Sequence, residues 1–199
     1  MTAKELSCFD DGLATAVKKR SSNPLRKTVV REHAVAFGDG LRLLEVYDSG
    51  WGRGSRMWLM RGDEDAFWHL NGTSPPIHDM TAAVKIALTT ETVLDYLRFF
   101  CAFVCGEDGP FMIVETPGQL ARATGQDADD KRVLAVADLL RPAKLRGRVD
   151  DRFEAEAVVL YGGDLFRADF LVAKGGMVEM TEDALLKKEL GLKIQQRLV

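Results

Sequence analysis

The stretch from Phe153 to Met180 constrains the fold more than any other part of the chain. Phe153, Ala155, Ala157 and Val159 recur at every second position, and so do Phe166, Ala168, Phe170 and Val172 after Tyr161-Gly162-Gly163-Asp164. A period of two is the mark of a β-strand with one buried face. Gly-Gly between two such runs is a two-residue hairpin loop, and loop length fixes the pairing. In that register Leu160 faces Leu165, Val159 faces Phe166, Ala157 faces Ala168, Ala155 faces Phe170 and Phe153 faces Val172. From Val159 onward these pairs form one apolar face, so turn and pattern agree. At the next turn, Lys174-Gly175-Gly176, a two-residue loop would set Glu179 on the apolar face beside Val172. A three-residue loop sets Val178 opposite Val172 and Met180 opposite Phe170, and burial selects it.

The reverse face follows from the same register. Glu156 lies opposite Asp169, Glu154 lies across Leu171 from Glu179, and Arg167 is diagonal to Glu156. Four carboxylates then share a face with a single arginine. Directly opposed like charges cost a few tenths to about 1 kcal/mol each. Water screens that cost if the face is plain surface. Alternatively the face is an acidic floor, half apolar through Val158, Leu160, Leu165 and Leu171, that binds a cation or a polar ligand. Burial there would raise the pKa of one carboxyl and make it an acid or base.

Upstream, Thr28–Phe37, Leu41–Tyr47, Ser55–Arg61 and Ala66–Leu70 read as strands separated by Gly- and Asp-rich turns. Short spacings imply antiparallel neighbours. Residues 3–19 carry a helical pattern through Leu6, Phe9, Leu13, Ala16 and Val17, broken by Asn23-Pro24. Asn71 to Pro76 reads as loop and Ala82–Leu88 as a further strand. Thr90 reads as the cap of a helix from Glu91 to Cys105, apolar on nearly every side beyond Tyr96 and therefore buried. Phe111–Glu115 reads as a strand and Ala128–Leu140 as a helix. Thr181 reads as the cap of a final helix, with Glu182 and Asp183 early and Lys187 and Lys188 late. The expectation is an α+β fold of mostly antiparallel curved sheets, from strands 28–70 and a C-terminal meander 143–181, packed on a buried central helix 91–105. It is read as a single domain over 1–199: an N-terminal helix or arm (1–24), strands plus core helix (28–115), then a helix, meander and terminal helix (128–190).

Bulk properties exclude some functions. With 199 residues, 46% hydrophobic and 29% charged, the chain is an ordinary globular sequence. A net charge of −3 argues against a dedicated nucleic-acid binder. The run Gly12–Arg31 holds Lys18, Lys19, Arg20, Arg26, Lys27 and Arg31 without an acid, which leaves an anion-binding reading for that segment. Cys8, Cys101 and Cys105 form no disulfide framework and no zinc pattern; Cys101 and Cys105 are expected to share a helix face. No signal-peptide core and no apolar span is evident, so a cytoplasmic location is expected.

Two local features could carry chemistry. Asp48-Ser49-Gly50-Trp51-Gly52-Arg53-Gly54-Ser55-Arg56 is a Gly-rich loop in which Trp51, Arg53 and Arg56 could form a binding tip. No helix follows it, so it is not a dinucleotide or phosphate loop. Among His33, His69 and His78, the last follows a Pro-rich loop and is the one catalytic candidate. The leading functional expectation is a non-catalytic ligand- or protein-binding domain without cofactor or metal, whose partner is another protein or a second copy. Its binding residues would be Trp51, Arg53, Arg56, Glu154, Glu156, Arg167, Asp169 and Glu179. The competing readings are an enzyme pairing His78 with a carboxylate of the 154–179 face, and anion or nucleic-acid binding through 18–31.

Overall fold

In the computed structural model, residues 3–5, 10–21, 24–52, 54–195 and 197–198 are described. Cys8 and Arg53 lie outside them. The chain is α+β with open, mostly antiparallel sheets. It divides into two compact units: residues up to Lys85, joined by the last residues of the chain, and residues 86–195.

The first unit contains β1 (Ala3–Glu5), α1 (Asp11–Arg20), β2 (Thr28–Ala34), β3 (Arg42–Asp48), β4 (Ser55–Arg61), β5 (Phe67–His69) and α2 (Pro75–Ala83). The sheet runs β1-β2-β3-β4, with β5 on the outer side of β4 and residues Arg197–Leu198 also pairing with β4, in parallel. The strands therefore fall close to where alternation and turn residues put them. The helix expected over 3–19 begins only at Asp11, because the Asp10 side chain accepts from the Leu13 backbone N–H at 2.8 Å and caps it. Residues 3–5 pair with β2 instead. Leu13, Ala16 and Val17 share one helix face and pack with Val30, Leu44, Val46, Met57 and Leu59 from one side of the sheet. The segment read as loop and then strand is α2: Pro75 and Pro76 occupy its first turn, where a missing N–H costs nothing. No strand forms over 82–88.

The second unit opens with α3 (Val93–Phe103), two residues shorter at each end than expected. Thr92, rather than Thr90, stands at its start, and its hydroxyl accepts from the Thr89 N–H at 3.0 Å. Tyr96, Leu97, Phe99, Cys101 and Phe103 are buried, as an all-round apolar helix requires. The Tyr96 hydroxyl donates to the Gly176 carbonyl at 2.7 Å and ties the helix to the turn that precedes the last long strand. Arg98 donates to both oxygens of Glu115, at 3.1 and 2.8 Å, and Glu115 also accepts from the Ala143 N–H at 2.7 Å. Cys105 lies past the helix end in a short ribbon, so it does not share a helical face with Cys101.

That ribbon is β6 (Cys105–Gly106) with β7 (Gly109–Pro110); β8 (Met112–Ile113) follows. Next come α4 (Pro117–Thr124) and α5 (Lys131–Leu134), then β9 (Lys144–Val149), β10 (Arg152–Tyr161), β11 (Asp164–Ala173) and β12 (Val178–Lys187), with β13 (Arg197–Leu198) closing the chain in the first unit. The single helix expected over 128–140 is thus one turn of α-helix plus a 3₁₀ turn at Ala137–Leu139. The sheet order is β12-β11-β10, and the far edge of β10 is shared by β8 and β9.

Every pair derived above for the β10–β11 hairpin is present, from Phe153 with Val172 to Leu160 with Leu165. The turn works because Gly162 and Gly163 both take positive φ, 62° and 96°, which favours glycine. Val178 faces Val172 and Met180 faces Phe170, as the three-residue loop requires. The final helix does not form. Residues 178–187 continue as strand, and the Thr181 hydroxyl donates to the Asp169 carbonyl rather than capping a helix. Irregularities between Asp169 and Phe170 and between Leu165 and Phe166 shift the register twice. Those bulges break the period of two and leave an acids-then-lysines order that mimics a helix.

Candidate functional site

β10 presents two different faces. Phe153, Ala155, Ala157 and Val159 are buried on one, beside Ala168, Phe170 and Val172 of β11. On the other, Glu154, Glu156, Val158 and Leu160 follow one another. Its far half is core: Val158, Leu160 and Leu165 are fully buried with Val114 beside β8, Leu120 and Ala121 of α4, Val133 of α5 and Val136 just past it. Its near half carries the carboxylates. The register puts Glu156 opposite Asp169, Asp169 opposite Glu182, and Leu171 between Glu154 and Glu179. The acidic face read from the sequence therefore exists, with Glu182 as an added member.

It is not occupied by a single arginine. Glu156, whose side chain is only 12% exposed, meets Arg146 directly, Arg141 at 3.3 Å and Arg167 at 3.9 Å. Arg146 also approaches Asp169 at 3.6 Å, and Arg152 meets Glu179 at 3.1 Å. Arg146 comes from β9, which pairs along β10 through a bulge between Glu154 and Ala155. The arginines thus neutralise the middle of the face. Glu154 and Glu182 have no ion-pair partner among the described residues, and the Asp169 Oδ1 atom is buried without a hydrogen bond. A cleft of about 360 Å³ lies among them, lined by Arg146, Glu154, Ala155, Asp169, Phe170, Leu171, Thr181 and Glu182.

The Asp48–Arg56 loop has a different character from an exposed tip. Trp51 is 6% exposed, packs in the core beneath α1, and its Nε1 donates to Ser21 Oγ at 3.1 Å. Asp48, which sequence reading passed over, is the buried organiser. Its carboxylate accepts from Gly50 N at 2.7 Å, Thr28 Oγ1 at 2.7 Å, and Arg26 N at 3.0 and 3.1 Å. The signal was present as Asp-x-Gly, an Asx turn. A Cβ at Gly50 would stand 2.9 Å from the Pro24 carbonyl, so the close approach demands glycine. Arg56 lies on the opposite side of that sheet, over the Tyr47 ring at 4.7 Å and paired with Glu45 at 3.0 Å. Glu45 is also approached by His33 at 3.4 Å and Arg31 at 3.9 Å. Arg53 lies outside the described residues.

Burial raises the pKa of Asp48, but hydrogen bonds from Thr28, Gly50 and Arg26 and the Arg26 charge outweigh it and hold the carboxyl below its usual value. A depressed folded-state pKa stabilises the protein above the unfolded value and loses that stability as pH falls through the folded one. Urea denaturation between pH 7 and 3 is expected to show stability falling below about pH 4. Asp48→Asn is expected to cost about 1–3 kcal/mol at neutral pH and to flatten that acid limb. An equally steep limb in the variant would deny Asp48 the role.

His78 sits half-buried on α2, in the first unit, whereas the 154–179 carboxylates belong to the second, so neither unit holds that pair within itself. The basic run is dispersed: Lys18, Lys19 and Arg20 end α1, Arg20 donates to the Phe67 and Ala16 carbonyls, and Arg31 faces Glu45. Burial pushes the Cys101 thiol up to about 12, the state of an inert packing residue. Among the described residues no cluster of three His, Cys, Asp or Glu side chains is arranged to hold a metal, and no helix is long and apolar enough to cross a membrane. Comparisons with family models, with curated proteins and with solved structures return no match.

Proposed function

We propose that the protein is a non-catalytic binding domain whose ligand presents a cationic group, ammonium or guanidinium, to the carboxylate face of its second sheet. The buried Asp169 Oδ1 without a hydrogen bond carries this reading. Arg146 stands 3.6 Å from this oxygen, too far for a hydrogen bond. A buried acceptor left so costs about 1–3 kcal/mol, and a ligand donor that takes the place of Arg146 beside it recovers that cost. Glu182 opposite Asp169 and Glu154 along the same cleft add negative charge that no ion pair among the described residues offsets. Arg146 at the cleft wall gives a carboxylate or carbonyl of the same ligand a place to bind. The cleft's 360 Å³ suits an amino-acid-sized group rather than a large cofactor.

The test is an NMR titration with N-acetyl-arginine amide, with N-acetyl-glutamate amide as the opposite-charge control. The arginine compound is expected to shift the amides of Glu154, Asp169, Thr181 and Glu182 saturably, and the glutamate compound to leave them in place. Shifts that ignore ligand charge, or that map to α2 or β2–β4, would overturn the proposal.

A further inference from the structure

We infer that β12 is a docking edge for an extended peptide of alternating basic and apolar residues, which adds to the sheet as a further antiparallel or parallel strand. The inference rests on the cationic-ligand reading and names the partner that would supply the cation. Among the described residues no strand pairs with the outer edge of β12, and the positions from Glu179 to Asp183 are all exposed. A ten-residue strand with a free edge presents unpaired N–H and C=O groups to any chain that can match them.

The two flanks of that edge differ in chemistry, and so they specify the guest. On one flank Glu179 and Glu182 stand with Leu171 and Asp169 beside the carboxylate cleft. On the other, Met180, Asp183 and Leu185 stand with Phe170, Ala168 and Phe166. There a second cavity of about 250 Å³ is lined by Phe111, Val159, Tyr161, Phe166, Ala168, Met180 and Asp183. Along its wall the Phe111 and Tyr161 rings stack at 4.3 Å, and the Tyr161 hydroxyl accepts from the Asp108 N–H at 3.1 Å. Met180 and Leu185 are exposed apolar side chains on this flank, at 40% and 52%. Side chains of an added strand point alternately to the two flanks. Lysine or arginine at every second position would reach the carboxylates, and an apolar residue at the others would enter the apolar groove.

The carboxylates of one flank, Glu179 and Glu182 beside Glu154 and Asp169, select a basic strand as the guest. A second copy paired antiparallel about a two-fold axis at Asp183 would oppose Asp183 to itself, whereas about Leu185 it would set Asp183 against Lys187, so the oligomeric state is read alongside peptide binding. At the sheet's other edge β9 already brings bases to the carboxylate face: Lys144 stands opposite Glu156 with Leu145 opposite Ala155, and Arg146 reaches Glu156 and Asp169, while Arg148, beyond the bulge, lies over Phe153 instead.

The test uses a fluorescent acetyl-Lys-Val-Arg-Val-Lys-Val-Arg amide and the full chain, read by anisotropy. Two sequence-identical peptides N-methylated at alternate residues, one for each phase, keep every side chain and remove the N–H groups that pair with an edge. The parent peptide is expected to bind, with at least a tenfold loss for one N-methylated phase and for the all-glutamate counterpart. Glu182→Lys, an exposed substitution, is expected to lose tenfold while the fold is retained by circular dichroism. Equal binding of the parent and both N-methylated peptides would overturn strand addition and leave the cationic-ligand reading standing. No binding of the peptide while N-acetyl-arginine amide binds would also overturn it. Failure of both ligands would remove the parent reading as well. A dimer in sedimentation equilibrium that the peptide cannot compete with would assign the edge to a second copy and contradict the inference.

Discussion

Asp169→Asn is expected to leave stability within about 1 kcal/mol of the parent while weakening an arginine-type ligand by roughly 10- to 100-fold. The two effects separate because they come from different neighbours. Asp169 stands opposite Glu156 on one side and Glu182 on the other, so neutralising it removes opposed like charges worth a few tenths to about 1 kcal/mol each. It also forfeits the 3.6 Å ion pair with Arg146, a partly exposed pair worth about 0–1 kcal/mol. These terms offset one another. The ligand, by contrast, loses a charge-assisted hydrogen bond of about 1.5–3 kcal/mol, at roughly 1.4 kcal/mol per tenfold in affinity. Asp151→Asn is the control: its side chain is 87% exposed on the β9–β10 turn, and neither stability nor binding should move. A loss of several kcal/mol in stability with unchanged affinity would make Asp169 a structural residue.

Val158→Glu is expected to prevent cooperative folding of the second unit. Along β10 it would simply extend the row Glu154, Glu156 by one more carboxylate on the same face. Yet Glu154 lines the open cleft, whereas Val158 is fully buried under α4 and α5 with Leu120 and Val133. A charge placed there without a partner costs more than a marginally stable domain can bear, and losses above about 4 kcal/mol are reserved for such cases. Val158→Ala is the measured reference, expected to cost about 2 kcal/mol through lost burial and a small cavity. Near-native denaturation of Val158→Glu would mean that the helices do not cover that half of the face.

These two substitutions also mark how far the sequence could be read. The hairpin register was legible because two independent constraints, the Gly162-Gly163 loop and the apolar alternation, demanded the same pairing. The acidic face followed from it by geometry alone. The arginines that neutralise its middle were not legible: Arg146 reaches Glu156 and Asp169 from β9 and Arg141 reaches Glu156 from the segment before β9, and a sequence does not announce which strand takes the far edge of β10; Arg152, at the start of β10, reaches Glu179 across β11. Likewise the part of β12 beyond Thr181 looked helical because two bulges hide its period, although its first residues, Val178 to Met180, were legible as strand. Trp51 shows the opposite failure. Gly-rich surroundings suggested a binding tip, but Asp48 draws the loop closed and sends the indole into the core. Pro75 and Pro76 were read as the end of a loop when their position made them the first turn of α2.

The most direct measurement is a crystal of the protein soaked in N-acetyl-arginine amide. The account predicts planar guanidinium density on the carboxylate side of the second sheet, within hydrogen-bonding reach of Asp169 Oδ1 and facing Glu182. Density seated elsewhere, with Asp169 Oδ1 satisfied by another protein group, would contradict it.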